Sequence, residues 1–190
     1  MKVTLYKFHK AYFGDFSKGN IHYARAIGDT EERIYQAYST GLEKPIINYH
    51  KEEYSRQLAI GFLNNYWDLA TNYATEPLKD LYYTRNKFVI PKSLLTNRKR
   101  LDVTCNYCYD KTSKKIIFME YGNLEVVEKW LPIFKAFAHS RFPLSPIPEI
   151  EAVICWDLSK GQSCEVNFTS LPEVRNDQLI YTARQIVLHS

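Results

Sequence analysis

RLDVTCNYCYDKTSKKIIFMEYGN, residues 100–123, is the stretch whose reading decides the fold. In an extended chain side chains alternate between two faces. Leu101, Val103, Cys105, Tyr107 and Tyr109 then share one face, and Asp102, Thr104, Asn106 and Cys108 share the other. DKTSKK supplies a turn. IIFMEY is almost wholly apolar, which fits a strand in the middle of a sheet better than one at its edge. The stretch predicts two adjoining strands, with Asp102 near the start of the first and Glu120 near the end of the second.

Upstream, the alternation of residues 1–8 predicts a strand, and Gly14, Asp15, Ser17, Gly19 and Asn20 mark a loop. Residues 21–27 read as a short strand or a helix start. Asp29 or Thr30 is expected to cap the helix that follows, and Gly41 to stop it. Tyr54, Leu58, Phe62, Tyr66 or Leu63, and Leu69 or Ala70 recur at helical spacing, so residues 50–74 carry the longest helix, with Gly61 leaving room for a close neighbour. Pro77 opens a short helix, PLKDLYY, and KFVIP at 87–91 reads as a strand. Downstream, residues 123–140 read as a helix containing Pro132. The proline-rich 143–148 segment is a loop, EAVICWDL and SCEVNF form a hairpin, and DQLIYTARQIVL is a strand or a short helix. The order of elements predicts an α/β (α+β) protein with a mixed central sheet and packed helices. No linker divides the chain, so 1–190 is expected to be one domain.

Composition narrows function less. Hydrophobic residues make up 45% and charged residues 24%, which excludes a disordered chain as a description of most of it. A net charge of +4 permits an anionic partner without requiring one. Tyrosine is abundant, at 15 residues, and serves cores, interfaces or base stacking. No apolar run reaches the roughly 18 residues of a membrane span, and MKVTLYKFHKAYF lacks the apolar stretch of a signal peptide. The expectation is a cytoplasmic protein with reduced thiols and no membrane partner.

Two carboxylates on adjoining strands suit a shared divalent cation. Mg²⁺ prefers carboxylate and water oxygens, and it can activate a bound water against a phosphodiester. The segment resembles the core of the PD-(D/E)XK nuclease superfamily, in which an Asp on one strand and a Glu on the next bind the metal and a Lys follows two positions later. Asp102 and Glu120 match the acids, while Gly122 stands where the Lys belongs. The resemblance spans about 50–139 and implies a restriction-endonuclease-like fold. It makes Asp102 and Glu120 metal ligands, with Glu53 (or Glu52) completing the shell from the preceding helix. Lys115 is the candidate catalytic replacement for the absent lysine, alongside Lys114 and Lys99. The plainer alternative pairs Asp102 with Arg100 and leaves Glu120 at a strand end.

Cys105-x-x-Cys108 lies within a strand with its side chains on opposite faces, and Cys155 and Cys164 are distant from it, so buried free cysteines are expected rather than zinc or redox chemistry. Basic residues gather at Lys87, Lys92, Arg98, Lys99, Arg100, Lys111, Lys114 and Lys115, interleaved with Tyr82, Tyr83, Tyr107 and Tyr109. Such a surface would combine phosphate contacts with base stacking. The resulting expectation is a DNA- or RNA-binding protein with a nuclease-like fold, with Mg²⁺-dependent cleavage left open. The alternative is a non-catalytic protein-interaction or structural subunit, motivated by the aromatic content and the proline loop.

Overall fold

The alternation read in residues 101–110 sets the architecture. In the computed structural model, which describes residues 1–15, 20–41, 52–95, 100–122, 124 and 127–189, this stretch is the strand that three others join. The elements run β1 (Lys2–Thr4), α1 (Leu5–Tyr12), α2 (Ile21–Thr40), α3 (Glu53–Tyr73), α4 (Pro77–Asp80), β2 (Leu81–Ile90), β3 (Leu101–Asp110) and β4 (Lys115–Glu120). They continue with α5 (Val127–Ala138), β5 (Ala152–Asp157), β6 (Gln162–Asn167) and α6 (Asn176–Leu188). The protein is α/β, with a mixed six-stranded sheet between helical layers.

β3 pairs antiparallel with β2 along its whole length, from Leu81 opposite Asp110 to Ile90 opposite Leu101. Its other edge is shared. β1 runs parallel beside Asp102–Thr104, and β4 runs antiparallel beside Cys108–Asp110. Beyond Cys108 opposite Ile117, β4 leaves β3, while along its whole length it pairs parallel with β5, and β6 closes that side antiparallel to β5. β4 therefore lies inside the sheet, as its apolar run requires.

Alternation then assigns residues to two cores. Leu101, Val103, Cys105, Tyr107, Ile116, Phe118, Val153 and Cys155 pack with α1, α5 and α6. Cys108, Ile117, Met119, Ile154 and Trp156 pack with α2 and α3. Phe134 of α5 is fully buried, with the rings of Phe118 and Phe168 at 4.8 and 6.0 Å. Pro132 lies inside α5, where a proline costs about 3 kcal/mol in lost helix geometry. Full burial of Leu131, Ile133, Phe134 and Phe137 around it offsets that cost.

Several local expectations change. The first strand stops at Thr4, whose Oγ1 accepts a hydrogen bond from Lys7 N at 3.2 Å and caps α1. Leu5 and Phe8 then begin a helical stripe where an alternating strand was expected over residues 1–8, and Ala11 carries it into the segment expected to be a loop. α2 begins earlier than Asp29, because Asn20 Oδ1 accepts from His22 N at 2.9 Å. Thr30 is buried mid-helix and donates its hydroxyl to Ala26 O. Gly41 ends α2 at φ 69°, as expected. The Pro77 helix stops at Asp80, since the next ten residues are taken into pairing with β3. DQLIYTARQIVL is helical. A Cβ on Gly61 would meet nothing within 4 Å, so that glycine admits no close neighbour.

The outer edge of β2 is covered in part by the proline segment. Val89 N donates to Phe142 O and Leu144 N donates to Lys87 O, both at 2.7 Å. Such cover blunts a strand edge against pairing with another chain. No helix among the described residues is long and apolar enough to cross a membrane.

Candidate functional site

The expected metal site rests on Asp102 and Glu120 facing the same way, and the register decides against it. Cys108 and Ile117 are opposite one another, so Asp102, Thr104, Asn106 and Cys108 share a face with Ile117 and Met119. Glu120 falls on the other face, with Ile116 and Phe118. Because the side-chain period is two, a displacement of one residue puts an acid into the opposite layer. Asp102 and Glu120 are thus separated by the sheet and do not present one ion with two ligands.

Each candidate residue has other partners. Asp102, 8% exposed, sits 3.0 Å from Arg100 Nε and 3.5 Å from Lys87 Nζ. Its backbone N–H donates to Met1 O. This is the plainer alternative of the sequence reading, an Asp102–Arg100 pair. Glu53, in the exposed first turn of α3, accepts from Gln57 Nε2 at 2.6 Å on its own helix. Glu52 holds His22 Nδ1 at 2.6 Å and Arg25 Nη1 at 3.1 Å. Lys115 lies at the far end of β4 from Glu120 and pairs with Glu165 at 2.9 Å. Gly122 is exposed. Among the described residues, no three His, Cys, Asp or Glu side chains gather as metal ligands.

The expected basic and aromatic surface also divides. Lys114 and Lys115, by the hairpin turn, are matched by Glu149, Glu151 and Glu165. Tyr107 is buried, and Tyr109 lies across from Tyr82 on the α5 side, its hydroxyl donating to Glu149 O. Arg98 and Lys99 lie outside the described residues.

At the other end of β3 the structure assembles something different. On the α2 side, β1 contributes Lys2 and Thr4, β3 contributes Asp102, Thr104 and Asn106, and β2 contributes Arg85 and Lys87. Lys2, Thr4 and Arg85 are exposed, and Lys87, Thr104 and Asn106 are half-buried. Arg100 borders this face through Asp102. α2 covers one side of it: Glu31 accepts from Asn106 Nδ2 at 2.9 Å, and Arg85 reaches Glu32 at 2.7 Å with its guanidinium 3.7 Å above the Tyr35 ring. Glu31 is pushed up from the usual carboxyl range by burial, against the opposing pull of Asn106 and Arg85. Burial and the nearby Glu31 carboxylate raise the phenols of Tyr83 and Tyr121. No sequence motif announced this face, since its residues come from three strands and a helix.

Glu120 has its own neighbour. It lies beside Asp157 on the parallel strand β5, on the same face. Burial, and then the Asp157, Glu31 and Cys164 charges, push its carboxyl up to about 8. Asp157 is fully buried and accepts from Ser159 N at 2.9 Å and from the Ser159 hydroxyl. Cys105 and Cys108 are buried and point to opposite layers, as the alternation requires.

Comparison of the chain with protein-family models, with curated proteins and with solved structures yields no match.

Proposed function

We propose that this protein binds nucleic acid through the polar face built by β1, β3 and β2, on a nuclease-like scaffold whose strand acids do not form a cleavage centre. The observation that supports it is the gathering of Lys2, Arg85, Lys87 and Arg100 around Thr104 and Asn106 on one sheet face, where four cations outnumber the two carboxylates paired with them, Glu32 with Arg85 and Asp102 with Lys87 and Arg100. Lysine and arginine there would meet phosphates, and the threonine and asparagine offer neutral hydrogen-bonding groups to sugars or base edges. The nuclease-like reading draws on the long helix α3, the adjoining strands β3 and β4, and the following helix α5. Cleavage is set aside because Asp102 is held by cations on one side of the sheet while Glu120 lies on the other.

Fluorescence anisotropy with single- and double-stranded DNA and RNA at low salt tests this reading. The parent is expected to bind with a steep salt dependence. The double variant K2E/K87E is expected to bind more weakly, with the slope of log affinity against log salt falling by about one for each lost phosphate contact. Absence of binding to every oligonucleotide at low salt removes the reading. A stable complex with a protein in its place favours the structural-subunit alternative. In a Mg²⁺ cleavage assay, D102A and E120A are expected to leave any activity unchanged, and loss of activity in both would restore the metal pair.

A further inference from the structure

Cys155 and Cys164, nine positions apart in sequence, are directly opposite each other on β5 and β6. Directly opposed residues of antiparallel strands have Cα atoms about 4.5–5.5 Å apart. That separation lies inside the window a disulfide spans. Both side chains face the α5 and α6 layer, so the register sets the two thiols side by side. Cys155 is fully buried, while Cys164 is half-buried on β6, the strand that ends the sheet. One thiol can thus meet a reagent from solvent while the other waits behind it. Cys105 and Cys108 lack this arrangement, since the sheet separates them.

We propose that Cys155 and Cys164 are an oxidisable pair, closing to an intrachain disulfide when the protein meets a low-molecular-weight disulfide such as oxidised glutathione. The Cys164 thiolate, its proton given to solvent, attacks one sulfur of the reagent. This forms a mixed disulfide and releases one glutathione thiolate. The Cys155 thiolate then attacks Cys164 Sγ, forming the protein S–S bond and releasing the second glutathione thiolate. The two released thiolates take up the two protons the protein thiols gave up. Two protein thiols are oxidised and one reagent disulfide is reduced.

The product would staple the edge strand β6 to β5 two residues from Asp157, in the layer that also holds Glu120. The Cys155 thiol is pushed up by the Cys164 thiol beside it, then by burial and by the Cys164 and Glu120 charges. Reaction through a thiolate therefore speeds up as the solution is made more alkaline.

Incubation of the folded chain with oxidised glutathione, followed by alkylation and peptide mass spectrometry, tests the pair. The expected product is a cross-linked 155–164 peptide, lighter by two hydrogen atoms and restored by dithiothreitol. C164S is expected to stay unmodified at Cys155, and C155A to trap one glutathione on Cys164. Circular dichroism of each variant verifies that the fold is retained. A parent chain that keeps glutathione on Cys164, joins to a second chain through Cys164, or loses neither thiol overturns the proposal.

Discussion

Glu120 shows how much one residue's phase decides. With Asp110 opposite Lys115 across a four-residue turn, every even-numbered β3 residue faces an odd-numbered β4 residue. Asp102 and Glu120 are both even, so they part. The alternation within each strand was legible from sequence, and so was the Asp102–Arg100 pair. The relation between the strands was legible only through the exact turn length, which composition of the turn does not give. What Glu120 does meet, Asp157, comes from a strand more than 30 residues later and carried no local signal. The carboxyl is raised to about 8, so folding favours its protonated form. Its stabilising contribution is complete below the ordinary carboxyl range and is lost as pH rises through about 8. Thermal unfolding of the parent is expected to show a melting temperature that falls between about pH 6 and about pH 8.5. Glu120→Gln, which carries no titrating proton, should flatten that decline by the equivalent of at least about 1 kcal/mol. An equal decline in both proteins would mean that Glu120 does not titrate there.

At the scale of elements, the legible parts are those where local pattern and tertiary demand agree. α3 satisfies a helical stripe and also covers the Ile117–Trp156 core, and the β3–β4 hairpin alternates as it pairs. The first eight residues satisfied two patterns at once, and the Thr4 cap with the burial of Leu5 and Phe8 selected the helix. β2 ran the other way, as ten partners on β3 overrode a helix-like PLKDLYY. Two glycines make the element scale testable with opposite signs. Gly161 turns the β5–β6 hairpin at φ 64°, and a Cβ there would lie 3.3 Å from Asn65 Oδ1. Gly161→Ala is expected to destabilise by about 1 kcal/mol or more, because alanine avoids that backbone region. Gly61, inside α3, faces open space. Gly61→Ala is expected to stabilise by about 0.5–1 kcal/mol through helix propensity. Urea denaturation reads both, and a stabilising Gly161→Ala or a destabilising Gly61→Ala would contradict these backbone assignments.

At the scale of the molecule, the two cores lie on opposite faces of one sheet, and β3, β4 and β5 supply residues to both in alternation. Neither layer can dissolve without moving backbone that the other layer holds, so both are expected to melt in one transition. The tryptophans report the layers separately: Trp130 is buried with α5, and Trp67 and Trp156 are buried on the α2 and α3 side. In a W67F/W130F background, fluorescence follows Trp156 alone. Phe134→Ala placed in that background removes a ring from the other face, a loss of about 3–5 kcal/mol for a fully buried phenylalanine. Trp156 never touches that cavity, yet its denaturation midpoint is expected to fall with the full destabilisation and to coincide with the midpoint from far-ultraviolet circular dichroism. If Trp156 kept its midpoint while circular dichroism lost an earlier phase, the layers would unfold independently, and the alternating strands would not couple them.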